Sequence, residues 1–298
     1  MGYDDTWGTQ DAFDRYEAVR HRMPGAQFPD QTQNCSGLVE IADHFDAFVL
    51  DSFGVLNVGE TAIAGAVACM QTLRSKGKRL IVLTNAASYT RDVAVERYRR
   101  LGFDFIADEV VSSRDVAVSR LNSVLPNGNW GAIAAPDDRF EDIPAQVAHW
   151  TGQDVDGFLL LSSAALNNDM VARLAAALAE QNKPLVVANP DLVAPRETGL
   201  SKEPGYYAHA LADDLEVAPV FFGKPFGNAY EDAKSWLADI APHRIAMVGD
   251  TLHTDILGGA ATGFKTILVR DHGLFAGHAT APFIESSGIR PDFSCASI

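Results

Sequence analysis

Cysteine is scarce: three residues in 298, Cys35, Cys69 and Cys295, lie far apart and form no C-x-x-C pair. That spacing argues against a disulfide framework and suits a reducing compartment such as the cytoplasm. Positive charge is short as well. Lys and Arg number 24 against 39 Asp and Glu, a formal net charge of -15. Such a surface repels phosphate backbones, so nucleic acid is excluded as an expected partner. No apolar run approaches the ~18 residues needed to cross a membrane, which excludes a membrane-spanning role. The opening "MGYDDTWGTQDAF" lacks the basic stretch and apolar core of a secretory signal. Internal repeats and low-complexity segments are absent too. A small phosphorylated ligand is still allowed, provided a local cation or metal offsets the acidic balance.

What is present is a globular composition, 47% hydrophobic and 21% charged, on a chain long enough for two domains. Six short apolar runs share one form. They are "AFVLD" ending at Asp51, "RLIVLTN" at Asn85, "GFLLLS" at Ser162, "PLVVAN" at Asn189, "RIAMVGD" at Asp250 and "TILVRD" at Asp271. Apolar strands without alternation mark parallel strands buried on both faces. Helical stretches are expected between them, at Ala64–Lys76, Thr90–Leu101, Asp169–Gln181, Ala229–Ile240 and His253–Thr262. Strand then helix, repeated, predicts a doubly wound parallel α/β sheet. Ligands bind such sheets at the carboxyl ends of the strands, where the polar residues just named would gather.

Two loop-like stretches, "LNSVLPNGNW" (Leu121–Trp130) and "APRETGLSKEPG" (Ala194–Gly205), flank two of the strand-like runs. They predict a smaller α/β domain over residues 121–204, inserted into a core of 1–120 and 205–298. Residues 1–44 are expected to form a helical N-terminal extension.

Four segments could carry chemistry: "LDSFGVLN" with Asp51, "VLTNAAS" with Thr84 and Asn85, "FFGKPFGNAYEDA" with Lys224, and "MVGDTLHTDILGGAATG" with Asp250 and Asp255. Singly, each has a bland reading: a helix cap, a strand-end turn, a solvated lysine. In order, on successive strands of one sheet, they resemble the four-motif signature of the haloacid dehalogenase-like (HAD) superfamily of hydrolases. "GVL" after the aspartate, "LTNAAS" followed by "TR", "NPD" at Asn189–Asp191 and "GKP" resemble its class IIA branch, whose α/β cap is inserted between the second and third motifs.

The resemblance implies a Rossmann-like HAD core and a phosphatase that forms an aspartyl-phosphate on Asp51. It implies that the Thr84 hydroxyl and the Asn85 backbone amide hold phosphoryl oxygens, that Lys224 neutralises developing charge, and that Asn189 and Asp191 contact the substrate. It also implies a Mg²⁺ held by Asp51, the Phe53 backbone carbonyl, Asp250 and Asp255. Converging carboxylates repel without a cation, which by itself argues for the metal. A homodimer through the cap is implied by the branch alone.

One position departs from the pattern. Where the phosphatases of this superfamily place a second Asp as proton donor, this chain has Phe53. A positioned acid is worth roughly 10²–10⁴ in rate. Three readings follow: a Mg²⁺-dependent phosphohydrolase confined to good leaving groups or supplied with an acid from elsewhere; a phosphate-pocket binding protein with little turnover; and a dehalogenase-like hydrolase, whose halide leaves unprotonated. By residue type, Asp191, Asp137, Asp138, Glu60 and His253 are the candidate substitutes for the acid. His253 is expected to face solvent, Trp130, Trp150, Phe221 and Phe222 to serve packing, and Tyr206 and Tyr207 either to start a packed helix or to line the site.

Overall fold

In a computed structural model of the protein, the described residues are 7–180, 183–196 and 199–298. Seven strands form the larger sheet, in the order Gln33–Asn34, Phe293–Cys295, Lys265–Val269, Ile245–Gly249, Ala47–Leu50, Arg79–Thr84 and Val110–Ser112. Every pairing in it is parallel. The doubly wound expectation therefore holds. Its cause is legible in the central strands. Phe48, Leu50, Leu80, Val82 and Val248 pack into the apolar cluster on one face. Ala47, Val49, Ile81, Leu83 and Met247 pack into the cluster on the other. Each large side chain so buried contributes about 1.5–3 kcal/mol, so a strand apolar at every position is stable only between two layers of helices.

Two of the helices between them keep the expected places with trimmed ends, Ala66–Ser75 and Arg91–Arg100, whereas the one expected at Ala229–Ile240 runs earlier, over Gly227–Ser235. Gly263, at φ 85°, ends Leu257–Thr262 in the left-handed conformation that glycine adopts without strain. The helix expected over Asp169–Gln181 spans Asn168–Glu180; Gln181 lies outside the described residues, as do positions 197 and 198 of the second loop-like stretch.

The inserted domain is a second parallel sheet of five strands, ordered Val220–Phe221, Leu185–Val187, Gly157–Leu160, Asn129–Ile133 and Gln146–His149. The sheet places its end later than the expected boundary at 204. Helix Pro204–Asp214 packs Tyr207, Ala208 and Leu211 into the same apolar cluster as Leu160 and Val187, and Val220–Phe221 forms an edge strand beside Leu185–Val187. Val220–Phe221 is only two residues long, too short to show a period. "APRETGLSKEPG" is likewise more than a linker. Val193–Arg196 pairs antiparallel with Gly199–Lys202 as a hairpin.

The N-terminal extension is only partly helical. After helix Thr9–Val19 the chain adds Gln33–Asn34 to the sheet as its edge strand. The helix and the turn that follows it, Arg20–Arg22, also bridge the two domains. Arg15 and Arg22 pair with Asp213 of the cap at 2.6 and 2.7 Å. Glu17 meets His253 of the core at 2.5 Å. No helix among the described residues is long and apolar enough to cross a membrane. The large apolar side chains left exposed, Val39, Val93, Ile106 and Trp236, all belong to the core domain.

Candidate active site

Asp51 follows the strand Ala47–Leu50, and its backbone N–H donates to the Val248 carbonyl at 2.8 Å, so the sheet itself fixes its place. The chain then turns tightly. Leu56 and Asn57 N–H donate to the Ser52 carbonyl at 2.8 and 3.1 Å, and Ser52 Oγ donates to Asn57 Oδ1 at 2.9 Å. Gly54, at φ 80°, passes so close to Asp250 that a Cβ there would lie 2.7 Å from its Cγ.

Lys224 is 1% exposed, and its Nζ lies 2.6 Å from Asp51 Oδ1 and 2.7 Å from Asp255 Oδ1. Asn85 sets its backbone. Asn85 Oδ1 accepts the Lys224 N–H at 2.7 Å, and Nδ2 donates to the Lys224 carbonyl at 2.9 Å. That amide therefore positions the lysine and also reaches Asp191 Oδ1 at 2.7 Å. Asp255 sits in a single π-helical turn, Leu252–Ile256, and its Oδ2 accepts the Thr251 N–H at 3.1 Å. It is at once a helix cap and a site carboxylate. Asp250 Oδ2 accepts the Leu274 N–H at 2.7 Å.

Oxygens of Asp51, Asp250 and Asp255 all lie within 4.8 Å of one another. Three buried carboxylates and the half-buried Asp191 thus face one lysine. Burial, opposed by Lys224 and reinforced by Asp255, pushes Asp51 up to about 7. Burial and the Asp255 and Asp51 charges hold Asp250 well above the carboxylate range. Lys224 would be lowered by burial, but Asp255, Asp51 and Asp191 outweigh it and raise it above the usual lysine value. One ammonium does not discharge this set. Hard oxygen donors, clustered and short of positive charge, fit a divalent cation such as Mg²⁺.

A cavity of about 260 Å³ opens beside the cluster, lined by Asp51, Phe53, Thr84, Asn85, Asn189 and Asp191 among others. Thr84 is 1% exposed, and its hydroxyl accepts the Ala86 N–H at 3.2 Å. Asn189 Oδ1 accepts the Asp191 N–H at 3.0 Å, so this amide shapes the loop that carries Asp191. The structure thus brings every expected site side chain to the cluster or the cavity wall, from both domains.

The candidate proton donors separate. Asp191 and Glu60 line the cavity. Asp137 is exposed and lies away from it, and Asp138 is tied to Arg114 at 2.5 Å. His253 does not face solvent as expected. It is fully buried, stacked on Tyr16 with ring centroids 4.9 Å apart and turned to Glu17, because the N-terminal helix covers it. The aromatics expected to pack do so: Trp130, Trp150, Phe221 and Phe222 are buried, and Tyr206 sits edge-on to Trp7.

Residues unforeseen from the sequence also surround the cavity: Tyr89, Arg97, Arg196 and Glu203. A signal for Arg97 existed. It shares the buried helix face with Ala94 and Tyr98, three positions before and one after it, where a charged side chain needs a partner. Gly273, where a Cβ would overlap the Asp250 carboxylate, gave none.

A parallel core sheet, an aspartate at the end of an interior strand, a buried lysine–carboxylate cluster and an inserted α/β cap fit a hydrolase. Residues 48–141 match the family model described as haloacid dehalogenase-like hydrolase, and 221–297 match a second HAD-hydrolase-like model. Glycerol-3-phosphate phosphatase of Homo sapiens is 31% identical over 251 residues, covering 75% of this chain and 78% of that protein. Chloroplastic phosphoglycolate phosphatase 1A of Arabidopsis thaliana is 26% identical and covers 92% and 80%. A solved structure described as a possible sugar phosphatase of the HAD superfamily, from Cytophaga hutchinsonii, superposes with a TM-score of 0.80 at 25% identity, over 90% of this chain and 98% of that one. The chain belongs to the haloacid dehalogenase-like hydrolases, in the class IIA branch.

Proposed function

We propose that the protein is a Mg²⁺-dependent phosphohydrolase acting on a small phosphorylated metabolite through Asp51. The observation that carries this reading is the Lys224 ammonium bridging Asp51 and Asp255 beside Asp250. An Asp51 oxygen attacks phosphorus, the bond to the leaving oxygen breaks, and that oxygen departs with the electron pair. Lys224 offsets charge on the nucleophile and the transferring group, while Thr84 and the Asn85 amide orient the phosphoryl oxygens. Water then attacks the aspartyl-phosphate, releasing inorganic phosphate and restoring Asp51. Asp51, Asp250, Asp255 and the Phe53 carbonyl would hold the Mg²⁺, which when bound offsets the clustered charge and polarises the phosphoryl group. Asn189 and Asp191 would shape the substrate end from the cap. The activities named for the human and Arabidopsis relatives support a small phosphorylated substrate. Three free cysteines are consistent with a cytoplasmic setting, and a homodimer through the cap is an expectation of the branch.

Phe53 favours a second reading, a phosphate pocket with little turnover or a dehalogenase-like site. Against both stands the retained carboxylate cluster, which has no role in holding a halide and is unfavourable unless a cation is used. The test is hydrolysis of p-nitrophenyl phosphate with and without Mg²⁺, beside Asp51→Asn. Turnover that requires both the metal and Asp51 is expected. Wild-type turnover no greater than that of the variant would overturn the proposal.

A further inference from the structure

Phe53 lines the same cavity as Asp51, half-buried, two residues past it. Two guanidinium groups converge on its ring. Arg97 Cζ lies 4.8 Å from the ring centroid and Arg196 Cζ 5.6 Å. Arg97 belongs to a core helix and Arg196 to the cap hairpin.

Each guanidinium spends one edge on protein acceptors. Arg97 Nε donates to Glu60 Oε1 at 3.0 Å, and its Nη2 donates to the Gly59 carbonyl. Arg196 Nη2 donates to Glu203 Oε1 at 2.8 Å and its Nε to Ser201 Oγ at 2.9 Å. Glu203 is 6% exposed, and its other oxygen takes Asn189 Nδ2 at 3.3 Å, so Arg196 is aimed by a buried carboxylate. The other edges are unspent. The Arg97 side chain is 5% exposed, and its Nη1 has no hydrogen-bond partner among the described residues. Arg196 Nη1 bonds to none of the described residues. A buried guanidinium N–H without an acceptor is unfavourable. An anion beside Phe53 would supply that acceptor.

We propose that Phe53, Arg97 and Arg196 form a leaving-group subsite that selects phosphate esters bearing a second negative charge, a carboxylate or phosphate about one ring's width from the reacting phosphorus. The proposal rests on the phosphohydrolase reading of the same cavity. The ring supplies an apolar floor, and the free guanidinium edges supply planar recognition of an oxyanion. A merely structural Arg196, tying the hairpin through Glu203 and Ser201, would affect all substrates alike.

The test uses the Mg²⁺-loaded protein with two esters of similar leaving-group basicity, phenyl phosphate and 3-carboxyphenyl phosphate. The carboxylated ester is expected to have kcat/KM higher by about tenfold or more, chiefly through KM. In Arg196→Gln this preference falls by about tenfold, and Arg196→Lys restores part of it. Arg97→Gln shifts the preference the same way if it folds; the hairpin position of Arg196 keeps the test independent of that. An equal loss for both esters, or an unchanged preference, overturns the subsite. Calorimetric binding of both esters to Asp51→Asn gives a readout without turnover. A binding preference in a protein that hydrolyses neither ester would keep the subsite and sink the phosphohydrolase. Turnover with equal binding and equal kcat/KM would do the reverse.

Discussion

Phe53→Asp puts back the acid that the first motif lacks, and the structure sets both its gain and its limit. A positioned proton donor is worth roughly 10²–10⁴ in rate, about 3–5 kcal/mol of barrier, for a leaving group that must depart as an alkoxide. Losing the half-buried ring costs about 0.8–1.5 kcal/mol of stability, half the value of full burial. Against the gain stands Arg97, whose guanidinium carbon is 4.8 Å from the ring centroid. An opposite charge at that range lowers a carboxyl pKa by roughly 1–3, so the new acid would be largely ionised at neutral pH. The expected gain is therefore reduced to about 10–10² and grows as pH falls. The assay is kcat/KM for glycerol phosphate and p-nitrophenyl phosphate from pH 5 to 8, in wild type and variant. Glycerol phosphate should gain, most at pH 5, and p-nitrophenyl phosphate should barely change. An equal gain for both, or none in a variant that still folds and binds Mg²⁺, would refute the reasoning.

Other outcomes follow from the same geometry. Gly273→Ala should weaken Mg²⁺ binding by about tenfold or more, because its Cβ would overlap the Asp250 carboxylate; titration calorimetry showing wild-type affinity would contradict that placement. Burial, opposed by Lys224 and reinforced by Asp51, pushes Asp191 up to about 8, against an unfolded value near ~3.9. Its favourable contribution is then full below about pH 4 and lost as pH rises through 8, so the thermal midpoint of metal-free Asp191→Asn should gain on wild type across that window; a pH-independent difference would show the shift is absent. Tyr16 Oη accepts the Leu192 N–H at 3.1 Å, one residue from Asp191. Tyr16→Phe strands that amide at a cost of about 1–3 kcal/mol and should speed hydrogen exchange at Leu192, whereas unchanged exchange would show that the N-terminal helix does not brace this loop.

Much of the core was legible because its signal is local. The runs at Asp51, Asn85 and Asp250 are apolar at successive positions, and both faces of those strands are buried. Several strands escaped notice, among them Val110–Ser112, Asn129–Ile133, Gln146–His149 and Phe293–Cys295; the shortest, Gln33–Asn34 and Val220–Phe221, have two residues each and pair along the edge of a longer neighbour. The inner site was legible for a related reason. Asp51, Lys224, Asp250 and Asp255 occupy strand ends and the turns after them, where order along the chain translates into proximity. Arg196 comes from a hairpin, and Glu203 directly follows it, in a stretch whose sequence, rich in Gly, Pro and charge, reads as a linker. Its position over Phe53 is set by cap packing rather than by local pattern. His253 shows the same limit from the other side. A histidine in a turn reads as solvated until a helix more than two hundred residues earlier covers it.

Phe53 and the two arginines make better sense together than apart. Without a proton donor, the barrier rises with the basicity of the leaving oxygen, so the site favours esters whose oxygen departs as a stabilised anion. Cations beside Phe53 favour the same molecules, since an anionic substituent both binds there and brings its own charge into a cavity otherwise crowded with carboxylates. The proposed metal site would not depend on the residue 53 side chain, because the resemblance assigns it that residue's carbonyl. A leaving-group series therefore separates the two contributions. Among uncharged aryl phosphates of rising phenol basicity, log kcat/KM should fall steeply in wild type and less steeply in Phe53→Asp, because protonation blunts the dependence. Carboxylated esters should lie on a parallel line above the uncharged ones in wild type. That offset should shrink in Phe53→Asp, whose new carboxylate would occupy the ground between Arg97 and Arg196. A flatter slope with the offset intact would mean that the missing acid and the arginines act on different parts of the substrate.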